Sequence, residues 1–586
     1  MPQRRLSLTR SDQRKLKKKS ELIRDLVKVS SVASISKLVT NSAIPSISNT
    51  KRRILLQTAR QPPEVVTFGS ANSPGGTASS SQPFLDNNYP GSAYHCAQET
   101  LKDGIEGSIK HWAVKHKVSA VALSDLLKIL RTHSCFDELP ADSRTILKTP
   151  RTVPIQPLAG GQYVHFGLES GLRKVIQSSA SALHSSTIEI QFNVDGIPLA
   201  KSSSQQFWPI LCCVNSIPNS RPFAVGIFFG KSKPSSSKEF LTSFVQETKK
   251  ILEHGLELSS PGKSFQVRIH SIICDAPARA FICNIKGHTG YFGCGKCVQE
   301  GSYVENRVVF PETESAVRTN ESFRSRQQED HHLGDSILEE LQFNIVDQIP
   351  FEYMHLVCLG VTRKLLNLWL KGKVSKIRLP ASKVREISSH LITLKPYIPE
   401  EFARKTRALQ FIDTWKATEF RLFLLYTGPV VLKAVLPPAY YDHFMTLNCA
   451  IQILCNNSLY LKYNQYANDL LKYFTFHFAT LYGPETLSYN IHGLVHLASD
   501  CKHLGPLDAF SAFKFENHLG HIKSLLKSSS RPLEQVYCRL VEGQEHRQGR
   551  TAVESHYVID PFPSTVSCNH VAELTGKVQS TETSQK

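Results

Sequence analysis

Two strand-like segments, each running into an aspartate, constrain this chain more than anything else in it. Thr187 to Val194 (TIEIQFNV) alternates in polarity and stops at Asp195-Gly196. Phe265 to Ile273 alternates in the same way and runs into Cys274-Asp275. Between them, Gln206 to Val214 (QFWPILCCV) and Pro222 to Gly230 (PFAVGIFFG) also read as strands, and Lys238 to His254 carries apolar residues at helical spacing. Short turns between the first three strands suit an antiparallel meander. The helix then permits a crossover to a strand parallel to the first. That connectivity puts Asp195 and Asp275 at the same end of neighbouring strands. Two carboxylates held there repel each other unless a divalent cation sits between them.

This order is the ribonuclease H-like arrangement of two-metal phosphoryl-transfer enzymes. The expected fold class is therefore α/β: an RNase H-like mixed-sheet core interrupted by a large all-α insertion, with a disordered basic N-terminal arm. Six segments follow from the composition. Residues 1–94 are the basic arm and a Ser/Pro/Gly linker, and 95–160 a small helical unit and connector. Residues 161–300 are the first part of the core, and 301–485 the helical insertion. Residues 486–555 hold a His pair and a last helix, and 556–586 a disordered tail. In the helical unit, Leu101, Ile105, Ile109 and Trp112 form one apolar face.

The charge is unevenly spread. Of a net +19, residues 1–60 supply a surplus of 12, from 15 Lys/Arg against 3 Asp/Glu. A basic arm on a mildly basic body fits a polyanionic partner, DNA above all. The start of the chain is basic without an apolar core segment, and no apolar run reaches the roughly 20 residues of a membrane span. No membrane partner is expected, and the 14 scattered Cys suit an intracellular protein with reduced thiols. Arg14-Lys15-Leu16-Lys17-Lys18-Lys19 has the composition of a nuclear import signal, which points to the nucleus.

Two constellations carry chemistry. The acidic set is Asp195, Asp275 and Glu516, the last on a helix predicted over Phe510 to Leu526. Mg2+ prefers oxygen ligands, and two ions about 3.5–4 Å apart suit phosphoryl transfer. The second set is Cys294-x2-Cys297 with His492 and His496, four apart on one helical face. Two thiolates and two imidazoles make a closed tetrahedral zinc site, with His288 and His355 as rival ligands. Each residue also has a plainer role open to it. Asp195-Gly196 reads as a turn, Asp275 as a helix cap before Pro277, Glu516 as a surface acid, and the Cys and His pairs as core residues.

The stretches VDGIPLAKSSSQQFWPIL, CDAPARAFICNIKGHTGYFGCGKC, FPE, PFEYMHLVCLGVTRKLL and WKATEFRLFLLYTGP resemble animal transposases of the CACTA (En/Spm) group of DNA transposons, over roughly residues 100–550. The resemblance implies an RNase H-like DDE core with a helical insertion before the third acid, and a Cys pair with a later His pair. It places the acids at Asp195, Asp275 and Glu516, with Glu419 the runner-up for the third. It puts one structural Zn2+ on Cys294, Cys297, His492 and His496. The activity implied is Mg2+-dependent cleavage and strand transfer at transposon ends, with two catalytic ions, in a homo-oligomer that pairs two DNA ends in the nucleus. The alternative is a catalytically inactive, transposase-derived DNA-binding protein.

Overall fold

A computed structural model describes residues 92–548, except 180–182, 184, 201, 259–263 and 373–376. The basic arm with its import-type cluster, nearly all of the linker and the tail from 556 lie outside the described residues.

The chain is mixed α/β, with a curled mixed sheet and many helices. Helices α1 (Ser92–Lys115), α2 (Ala120–Leu130) and α3 (Ser143–Leu147) form a small unit with its own apolar cluster around Ile109, Leu123, Leu127 and Ile146. Trp112, expected on its buried face, is 43% exposed instead. Lys117 just past α1 donates to Ser524 Oγ at 2.6 Å, so this unit rests on the C-terminal part of the chain.

The sheet begins earlier than the sequence indicated. Strands β1 (Gln156–Leu158) and β2 (Gly161–His165) form a hairpin, and α4 (Leu168–Ser178) follows. Then come β3 (Thr187–Val194), a two-residue β4 (Ile197–Pro198), β5 (Gln206–Val214) and β6 (Phe223–Gly230). Helix α5 (Ser237–His254) crosses to β7 (Leu256–Glu257) and β8 (Ser264–Ile273). The sheet order is β1-β2-β6-β5-β3-β8-β7, with β4 on β5. β3 and β5 pair antiparallel, as do β5 and β6, while β8 lies parallel to β3 with Asn193 opposite Ile273. The meander and crossover expected from the sequence are what the chain forms.

Period-two alternation buries a different set of side chains on each face. Ile188, Ile190, Phe192, Ile210 and Val225 face α4 and α5. Phe207, Leu211, Cys213 and Ile227 face the helical half of the molecule. The amide nitrogens of two polar side chains on that second face are bonded. Gln191 Nε2 donates to the Ala509 carbonyl at 2.8 Å and Asn193 Nδ2 to the Ile273 carbonyl at 3.0 Å.

After β8, α6 (Ala276–Ile282) leads into the Cys-x2-Cys turn. Residues 301–350 are mostly turns and short helical segments with one hairpin, β9 (Ser302–Val304) and β10 (Arg307–Val309). Longer helices follow, starting with a π-helical segment, Met354–Thr362, that continues as α7 (Arg363–Lys371). Helices α8 (Ala381–Leu394), α9 (Ala417–Leu422), α10 (Pro438–Cys455) and α11 (Asn464–Tyr482) complete this helical part around Trp369, Phe444 and Phe474. The chain returns through α12 (Tyr489–Gly493), a 3-10 turn (Leu494–His496) and α13 (Leu497–Leu504) to α14 (Phe513–Ser524) and α15 (Pro532–Gln548). Among the described residues no helix is long and apolar enough to cross a membrane.

Candidate catalytic pocket and metal cluster

The pocket forms where β3 and β8 end side by side. Asp195 follows β3 by one residue and its Oδ1 accepts the Gly196 N–H at 2.7 Å. Gly196 is required by close approach, because a Cβ there would lie 2.9 Å from the Trp208 ring. Asp275 is the N-cap of α6, with Oδ1 accepting the Ala278 N–H at 2.8 Å. The capping role is thus real, and it leaves this carboxylate at the end of the strand beside Asp195. Glu516, in the first turn of α14, shares a side-chain hydrogen bond with Asp195.

Asp275 and Glu516 both act on Asp195 through their charges. The ligand atoms that converge, all within 4.8 Å of one another, belong to Asp195, Glu516 and His355. His355 Nε2 stands 3.9 Å from Glu516 Oε1. Burial first, then the charges of Asp275 and Glu516, hold the Asp195 carboxyl well above the usual range. Burial works against a charge on His355. Its hydrogen bond to Glu352 and the charges of Glu352, Asp195 and Glu516 outweigh that and push it up to about 9.

Glu352 is the residue that sequence reasoning missed. Its carboxylate is buried and accepts four hydrogen bonds: from Met354 N, His355 N and Ala512 N at 2.7 Å each, and from His355 Nδ1 at 2.8 Å. These bonds hold its pKa down despite burial. A carboxylate inside the apolar run IPFEYMHLVCLG was the available signal, since such a group needs partners. Glu419, the rival third acid, lies elsewhere. It accepts two hydrogen bonds from Arg407, at 2.6 and 2.8 Å, and one from the Lys416 N–H at the start of α9.

The Cys and His pairs do come together. Cys294 Sγ and Cys297 Sγ are 3.5 Å apart, and the two His Nε2 atoms are 3.2 Å apart. His492 Nε2 lies 3.3 Å from each sulfur, and His496 Nε2 lies 3.6 Å from Cys294. A tetrahedral Zn2+ with ordinary bond lengths implies edges of about 3.8 Å for S–S, 3.4 Å for N–N and 3.5 Å for S–N. The donor set and its spacing therefore fit zinc. Burial opposes charge on Cys294, but the Cys297 thiol and the two imidazoles bring it well below the usual thiol range. Cys297 is pushed far up by the hydrogen bond to Cys294 and by burial.

Outer contacts hold both imidazoles, the kind of support a metal-binding histidine has. The Gln299 amide lies 2.9 Å from His492 Nδ1. Phe310 stacks on the His492 ring and Phe351 meets the His496 ring edge-on. Of the rival ligands, His288 sits against Tyr489 and His355 belongs to the acidic pocket.

No family model matches the chain, and comparison with curated proteins finds no similar sequence.

Proposed function

We propose that this protein is a DDE-type DNA transposase of the CACTA group, built on an RNase H-like core. The observation that carries the reading is the strand order with its acids. Asp195 and Asp275 stand at the same end of the parallel pair β3 and β8, and α14 brings Glu516 beside Asp195. Burial and the neighbouring acids together hold the Asp195 carboxyl up, and a bound cation would offset the repulsion among them. Mg2+ ions on these carboxylates would supply a Lewis acid for the attacking and leaving oxygens of a DNA phosphodiester. The chain's own part is to orient. The Asp195 turn, the capped Asp275 and the fixed start of α14 hold three oxygen donors against the strand ends. Zinc on Cys294, Cys297, His492 and His496 would pin α12 and α13 to the core, and so set the approach of α14. The surplus of basic residues favours DNA as the polyanion.

The test is cleavage of DNA carrying the element's terminal repeats, with Mg2+ present. Strand cleavage and strand transfer by the wild type, lost in Asp275→Ala with DNA binding kept, is the expected result. Retained cleavage by that variant would end the reading. Binding by a wild type that never cleaves would establish the inactive derivative instead.

A further inference from the structure

The pocket at the strand ends is not an all-oxygen site. His355 reaches it on the π-helical segment, and its ring is fixed from behind. Nδ1 lies 2.8 Å from Glu352 Oε2, whose side chain is 1% exposed. An ionised carboxylate only accepts, so Nδ1 carries the proton of that bond, and Nε2, turned toward Glu516 and Asp195, gives up its own proton when a cation takes that place. The same Glu352 accepts the Ala512 N–H at the start of α14, so one buried group sets His355 and Glu516 relative to each other. Ligands of one small divalent cation lie about 3 Å apart when adjacent and somewhat over 4 Å when opposite, given bonds of about 2.1 Å. The three ligand atoms here fall within 4.8 Å. An imidazole whose outer N–H is held by a carboxylate is the usual dress of a metal-binding histidine.

We propose that His355 is a direct ligand of the cation seated between Asp195 and Glu516. Glu352 is its positioning residue, and this mixed nitrogen–oxygen seat prefers Mn2+ to Mg2+. Imidazole suits first-row transition ions, whereas Mg2+ favours oxygen and keeps its water. The inference rests on the reading of the pocket as a cation-dependent centre and names the ligand that distinguishes one seat from the other.

The experiment uses the full, zinc-loaded chain titrated with Mn2+, with bound ion counted by electron paramagnetic resonance and nitrogen coupling read by the pulsed method. Wild type is expected to bind Mn2+ with imidazole coupling. His355→Ala should lose the coupling and bind Mn2+ about ten- to a hundredfold more weakly, by the scale set for metal-site partners. Its Mg2+ affinity, read by competition, should change much less. Glu352→Gln should keep the coupling with weaker binding. If His355→Ala does not fold, His355→Gln carries the same test, since an amide oxygen gives no such coupling. Bound Mn2+ without nitrogen coupling in the wild type would overturn the proposal. So would tighter Mn2+ binding in His355→Ala, as expected if the ring were a resident cation rather than a ligand. Asp195→Asn separates the two levels. If it leaves Mn2+ binding unchanged, the cation-dependent reading itself fails. If it abolishes binding while His355→Ala changes nothing, only the His355 assignment fails.

Discussion

Lys296 lies between the two cysteines of the knuckle and is almost fully buried. Its Nζ donates to Asp500 Oδ1 at 2.5 Å and to the Val346 carbonyl at 2.7 Å. Asp500 Oδ2 accepts the Phe351 N–H at 2.9 Å. The side chains of the pair are 6% and 3% exposed, so neither charge has recourse to water. Lys296→Met keeps most of the aliphatic stem and removes only the ammonium. Breaking one side of a buried pair costs about 3–5 kcal/mol, and the orphaned Val346 carbonyl adds about 1 kcal/mol. A loss of about 4–6 kcal/mol is three to four powers of ten in the folding constant. That is a large share of the roughly 5–15 kcal/mol that holds a domain together. Lys296→Met with Asp500→Asn removes the stranded charge yet still accepts from Phe351, so it should recover about 2 kcal/mol or more. The assay is equilibrium urea unfolding followed by tryptophan fluorescence at saturating zinc, with zinc content measured on each variant. A single variant within 1 kcal/mol of wild type (about the scale of one ordinary hydrogen bond) would refute the reasoning. So would a double variant no more stable than the single one, since the damage would then lie in packing rather than charge.

Four further outcomes are expected. Cys294→Ser should lower zinc content, read with a colorimetric chelator, to well below one ion per chain. In wild type, zinc should bind more weakly as pH falls, because Cys297 must give up its proton to ligate. His443, stacked on Phe474 with ring centres 4.1 Å apart, is pushed by burial down to about 3. Its unfolded form takes a proton near 6.5, so stability should fall as pH drops below that, by about 1.4 kcal/mol per unit. His443→Phe should flatten the stability–pH slope by that amount, and an unchanged slope would dismiss the claim. Gly226→Ala places a Cβ 2.0 Å from the Tyr163 hydroxyl and should destabilise by about 1–3 kcal/mol. Adding Tyr163→Phe should restore part of the loss in thermal unfolding.

The central elements were legible because their burial follows a short period. β3, β5, β6, α5 and β8 lie within a residue or two of where alternation and helical spacing put them. The His pair was legible even though its helix breaks into a 3-10 turn at Leu494–His496, since both Nε2 atoms still converge. β1 and β2 were not legible. They are short, β1 contains Pro157, and β2 pairs with β6 some 60 residues away, so local pattern carries little of their stability. Strand-end position located Asp195 and Asp275 along the backbone, but not where each carboxylate turns. Asp275 turns one oxygen to Ala278 as a cap, and His355 also stands beside Asp195 and Glu516. The role of Glu352 depends on a partner 160 residues away at Ala512, which no local spacing announces.

Residues Phe351 to His355 join the two clusters. The Phe351 N–H goes to Asp500, which is paired with the knuckle lysine, and the Phe351 ring meets His496 and lies under Arg279 at 4.5 Å. One residue on, Glu352 holds His355 and the start of α14. A shift of the Cys/His cluster therefore reaches the acidic pocket by two short routes. One runs through the backbone at residues 351–352, and the other through the 20 residues from His496 to Glu516. Gln191 on β3 ties that second route back to the sheet through the Ala509 carbonyl. Loops tied at both ends in this way have little freedom to re-aim Glu516. The pocket's geometry then depends on the cluster staying closed, and removing zinc should loosen cation binding at Asp195 without touching a single pocket residue. Mn2+ titration of zinc-stripped and zinc-loaded protein measures that coupling, and equal affinities in the two states would show that the clusters stand independently.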